Sequence, residues 1–127
     1  MSDTSQTTGR IAIPSEAPGG LTARRSGHFG RCDCFTIVEI LDGAVAAAEV
    51  VLHAPHEDGG CKRHVLLLAE NTVDAIVVDG IGGRPLMGFD QVGITVHAGM
   101  GPDVQTAATA YAKGNLPVVG LEGACRH

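Results

Sequence analysis

Between Val73 and Asp79 the chain runs through Ala75-Ile76-Val77-Val78, apolar at every position, with Asn71 ahead of it and a glycine loop behind it. The run is too short for a helix, and with no polar alternation it leaves no face for water. It reads as a central parallel strand covered on both sides. A sheet containing such a strand needs crossover connections and helices packed against it.

The rest of the sequence supplies those elements. Ile11-Ala12-Ile13, stopped by Pro14, reads as a second buried strand within residues 10–14. Phe35 to Leu41 is β-branched and aromatic, and Asp42-Gly43 after it is a strong hairpin signal, with Ala44 to His53 as the return strand. Cys61, Val65, Leu68 and Ala69 fall at i, i+4, i+7 and i+8, which predicts a helix from about Cys61 to Glu70. A short helix is expected from Pro85 to Phe89, a strand from Gly93 to Val96, and a helix from Asp103 to Lys113 closed by Gly114. The segment Ser15–Arg31 has no sustained period and reads as a long loop. The pattern predicts an α/β fold: a mixed five-stranded sheet with helices packed on it. The expected boundaries are an N-terminal tail 1–9, a domain 10–115 and a C-terminal tail 116–127. The loops Ser15–Arg31, His53–Gly60, Gly80–Arg84 and His97–Gly101 all follow strands and are expected to gather at one edge, where open α/β sheets bind ligands.

Composition narrows the chemistry. The formal net charge is −5 and aromatics are 3% of 127 residues. A nucleic-acid partner would need a basic stripe or stacking platforms, and neither is present. No apolar run reaches the roughly 20 residues of a membrane helix, and Met1 to Thr8 lacks the apolar core of a secretory signal. A cytoplasmic protein with reduced thiols is therefore the expectation, with no membrane partner. Against that background, four cysteines and six histidines point to soft-metal chemistry.

Two sets of residues carry that signal. In His28-Phe29-Gly30-Arg31-Cys32-Asp33-Cys34, an extended backbone would put Cys32 and Cys34 on one face, about 7 Å apart at a rise of roughly 3.3–3.4 Å per residue. Such a pair can hold one metal or neighbouring atoms of a cluster; otherwise both are ordinary packed or surface thiols. The second set is His53, His56, Cys61 and His64, with Cys61 and His64 one turn apart at an expected helix N-terminus. Gly80-Ile81-Gly82-Gly83-Arg84 lacks the spacing of a nucleotide loop but offers backbone amides and a guanidinium. Arg31 and Arg84 are expected to form an electropositive wall for an anionic cluster. Of the carboxylates that a magnesium enzyme would need, only Asp79 stands at a strand's carboxyl end.

Taken together, Ile11-Ala12-Ile13-Pro14-Ser15, Gly27-His28-Phe29-Gly30-Arg31-Cys32 with Phe35, Pro55-His56 with Gly59-Gly60-Cys61, Asp74-Ala75 and Gly80-Ile81-Gly82-Gly83-Arg84 resemble a known family over about residues 10–114. It is the dinitrogenase iron-molybdenum cofactor biosynthesis family of NifX-like and NafY-like carriers and NifB C-terminal domains, associated with nitrogen fixation. The resemblance implies a ribonuclease-H-like fold and a non-catalytic, metal-binding carrier or accessory protein. Its cargo would be an iron–sulfur or iron–molybdenum–sulfur cluster or precursor; some relatives carry a molybdenum–copper–sulfide cluster. Its protein partners would be cofactor-assembly or nitrogenase-type proteins. The resemblance makes His28 the leading contact and Cys61 the second. A metal-free interaction or regulatory module of the same fold is the alternative.

Overall fold

The computed structural model describes residues 8–26, 33–52, 60–79, 83–99 and 101–119; side chains at 52, 60–64 and 83–85 are outside that description. Among the described residues, five strands and three helices follow one another: β1 Gly9–Ser15, β2 Cys34–Leu41, β3 Ala44–Leu52, α1 Gly60–Glu70, β4 Ala75–Val78, α2 Gly83–Val92, β5 Thr95–Ala98 and α3 Val104–Ala112. They form one mixed five-stranded sheet in the order β3-β2-β1-β4-β5. β1, β4 and β5 are parallel, and β2 is antiparallel to both β1 and β3.

Every side chain of β4 is buried, as its unbroken apolar run predicts. Alternation divides the interior into two layers. Ala12, Phe35, Ile37, Ile76 and Val78 meet Val65 and Leu68 of α1 and Leu86 and Phe89 of α2 on one face. Ile11, Ile13, Val38, Ala75 and Val77 meet the alanine-rich α3 on the other. Gly88 of α2 faces α1: a Cβ there would stand 3.4 Å from Val65, an ordinary van der Waals contact. At the β2–β3 turn, Asp42 and Gly43 adopt φ of 52° and 82°, the two positive values that a type I′ hairpin turn demands.

Three boundaries differ from expectation. α2 spans ten residues and ends where Gly93 takes φ +82° and its amide donates to Asp90 O. That pushes β5 two residues later, so His97 is a strand residue rather than a loop residue. Segment 116–119 is also no free tail. Leu116 is buried against the α3 layer, Ala98 N donates to Pro117 O, and Val119 N donates to Val96 O. The segment covers the outer edge of β5, which would otherwise present unpaired backbone groups. His97 Nδ1 donates to Leu116 O at 3.1 Å, and its ring meets Tyr111 edge-on at 5.0 Å.

Truncation after Asn115 is therefore expected to destabilise the domain by about 2–4 kcal/mol, from the loss of a buried leucine and of edge hydrogen bonds. Denaturant unfolding of the full and truncated chains checks this; unchanged stability would show that 116–119 contributes nothing.

Candidate functional site

The sheet order fixes where chemistry can gather. β1, β3, β4 and β5 all run in one direction, so their carboxyl ends share one end of the sheet with the start of β2. The helices that follow β3, β4 and β5 begin on leaving that end. After β1 the chain continues to β2 on one side, and after β4 it continues to β5 on the other. The carboxyl ends of β1 and β4 therefore form a topological switch point, the usual place for a ligand crevice in an open sheet.

Segment 16–26 folds back over the end of β1. Ser15 and Arg25 form an antiparallel bridge, as do Arg24 and Asp103. The Ala17–Pro18 peptide is cis, and Gly19 at φ +80° brings the turn down onto Cys34 and Val50, 2.9 Å from where its Cβ would lie. Beneath it, the buried Ser15 and Thr36 hydroxyls share a 2.8 Å hydrogen bond, and Gly20 N donates to Thr36 Oγ1 at 3.0 Å. The far side of the segment serves α3. Val104 N donates to Ala23 O and Gln105 N to Leu21 O, while Asp103, the N-cap, accepts from Thr106 N at 2.8 Å. Those bonds satisfy amides that a helix start leaves open. Hydrogen bonds from Thr106 hold the Asp103 carboxyl below its ordinary pKa.

Of the residues singled out in the sequence, Cys34 is fully described. It opens β2 with its side chain buried, and its Sγ lies 3.8 Å from Ser15 O and 4.0 Å from Glu16 O. Burial, with Asp33 beside it, pushes the thiol pKa up. A ligand thiolate needs the opposite environment. Here the Cys34 thiol is taken up beneath the Gly19 turn, and Cys32, expected to pair with it, lies outside the described residues. Cys61, His64 and Arg84 have their backbones in the first turns of α1 and α2, with side chains outside the description. His28, Arg31, Cys32, His53 and His56 lie outside the described residues, as do Cys125 and His127. Among the described residues, no three His, Cys, Asp or Glu side chains come together as a metal site. Asp79 is engaged by Arg25 at 2.8 Å.

Arg25 is the residue that the sequence pattern missed. Its side chain is 7% exposed, although it lies in a segment without periodicity. Nε donates to Gly101 O at 3.0 Å, Nη2 donates to Asp79 Oδ1, and the backbone amide donates to Pro102 O. One side chain thus ties the segment after β1 to the residues just past β4 and β5. Nη1 is buried with no acceptor among the described residues.

The sequence profile described as "dinitrogenase iron-molybdenum cofactor" matches residues 9–114, from the start of β1 to the end of the α3 cap. The chain belongs to the dinitrogenase iron-molybdenum cofactor family. An uncharacterised protein of Methanocaldococcus jannaschii, MJ0580, is 30% identical over 109 residues, covering 84% of this chain and 88% of its own. The apo form of the orange protein from Desulfovibrio gigas superposes with a TM-score of 0.75 at 26% identity, over 91% of this chain and 96% of that one. A Thermotoga protein with a provisional NifB assignment gives 0.67 at 26% identity, over 87% and 92%. The family profile thus spans all five strands and all three helices. No described helix is long and apolar enough to cross a membrane.

Cys34 is expected to resist iodoacetamide in the folded protein at about pH 8 and to label on unfolding. The sign for stability follows from the raised pKa. The contribution of the neutral thiol is intact below the unfolded value of about 8.5 and is lost as pH rises through the folded value. Peptide mapping after alkylation checks this; fast labelling of native Cys34 would contradict the buried geometry.

Proposed function

We propose that this protein is a non-catalytic carrier or accessory protein for an anionic metal–sulfur cluster, an iron–sulfur unit or iron–molybdenum cofactor precursor, and that its sheet is of the ribonuclease-H-like class. The order β3-β2-β1-β4-β5, with β2 alone reversed, supports the fold assignment. One observation carries the function. The segments bearing His28, Arg31 and Cys32, His56, and the helix starts bearing Cys61, His64 and Arg84 are all entered or left at the single sheet end that holds the switch point.

In this reading His28, Cys32 and Cys61 supply the metal contacts, with His56 and His64 beside them. Thiolate and imidazole suit a sulfide-bridged metal. Arg31 and Arg84 offset the negative charge of the cargo, which would be costly to bury unpaired. No acidic residue stands in the first turn of α1 or α2 to offset the positive ends of these helices, which favours an anion there. Cofactor-assembly or nitrogenase-type proteins would deliver or receive the cargo.

Anaerobic reconstitution with ferrous iron and sulfide tests the proposal. The wild type and the Cys34→Ala variant are expected to bind iron and acid-labile sulfide stoichiometrically. The Cys32→Ala/Cys61→Ala double variant should lose most of that loading while keeping its fold by circular dichroism. A wild-type chain that takes up no metal would instead favour a metal-free interaction module.

A further inference from the structure

Arg25 combines three properties that a structural brace alone does not need. It sits at the switch point, bridged to Ser15 at the end of β1 and reaching Asp79 just beyond β4. Its guanidinium is held at a fixed position by two acceptors, Gly101 O on Nε and Asp79 Oδ1 on Nη2. Its remaining nitrogen, Nη1, has no acceptor among the described residues although it is sealed from water. An orphaned charged donor is expensive, and native proteins retain few of them. The backbone is also cut back to make room for it: a Cβ on Gly99 would lie 2.6 Å from Nη1 and 2.9 Å from Val77 Cγ1. Arg10, at the opposite end of β1, shows the contrast. Each of its three side-chain nitrogens has an acceptor, on Asn71 O, Glu39 and Glu49.

We propose that Arg25 is an anion-recognition residue of the cargo crevice, with Nη1 as the donor kept for a sulfide or oxo group of the ligand. The proposal rests on the carrier reading and adds to it a named contact that lies outside the segment of His28, Arg31 and Cys32. Asp79 and Gly101 act as positioning groups. They occupy the other donors, so the planar guanidinium can turn only one edge toward the ligand. The acceptor is any compact inorganic anion of matching size, either the sulfide face of a metal cluster or a free oxyanion such as molybdate. No bond to Arg25 forms or breaks; the step is a charge-assisted hydrogen bond.

Two arms separate this inference from the carrier reading. In the first, wild type, Arg25→Lys, Arg25→Gln and Gly99→Ala are reconstituted with ferrous iron and sulfide, and loss of iron to a chelator is timed. Cluster loss about tenfold or more faster in all three variants, at unchanged initial loading, is expected from removal or displacement of one charge-assisted contact. Rates equal to wild type in Arg25→Lys and Arg25→Gln overturn the assignment while leaving the carrier reading intact. The second arm uses the wild-type apo-protein alone, so it does not depend on any variant folding. The Arg25 side-chain Nε–H resonance is followed while molybdate is added. A saturable shift supports anion recognition even if the chain takes up no iron, in which case the carrier reading is the one that fails. If iron is bound but molybdate leaves the resonance unmoved, the recognised anion is the cluster alone, supported by the first arm. No shift together with no iron uptake overturns the assignment.

Discussion

The structure depends on one constraint: β4, in the middle of the parallel run, has no side that tolerates water. Its four buried residues oblige the chain to place α1 and α2 on one face and α3 on the other. Parallel neighbours then require crossovers, and crossovers return each helix start to the carboxyl end of a strand. The chemistry at that end is therefore a product of the packing. A buried parallel strand sends every strand-to-helix connection to the same place, where amides and helix starts accumulate.

Much of this was legible from residue types. Ala75-Ile76-Val77-Val78, the Asp42-Gly43 turn, and the spacing of Val65, Leu68, Val104, Ala107 and Ala108 gave the strands, the hairpin and two helices within a residue or two of their observed limits. The misreadings have physical causes. α2 was expected to stop at Phe89, yet its stop is Gly93, at φ +82° with its amide donating to Asp90 O. His97 looked like a loop residue because glycines follow it, yet parallel pairing with Val77 holds it in the sheet. Segment 116–119 has no period because its role is to cover an edge.

The candidate site was legible as a set of residue types and not as an arrangement. Cys34 follows Cys32 at the spacing of a ligand pair, but the fold of 16–20 over its thiol depends on Gly19, Ser15 and Thr36. Arg25 carries no local signal at all. Its partners lie at 15, 79, 101 and 102, and only the assembled sheet brings those positions together. Periodicity reports which face a residue shares with its neighbours along the chain. It is silent on residues whose surroundings are built from three separate segments.

The carbonyls of Leu21 and Ala23 take the place of part of a helix cap, accepting from the amides of Gln105 and Val104. Segment 16–26 therefore cannot lift from the sheet without exposing the first turn of α3 to solvent. These two amides stand about eighty residues away in sequence from the segment that protects them, and their hydrogen-exchange rates record its opening directly. Cargo that tightened this end of the sheet would register there as slowed exchange at Val104 and Gln105, with the helix interior unchanged. A spectator amide pair inside the protein thus reports the state of this end of the sheet.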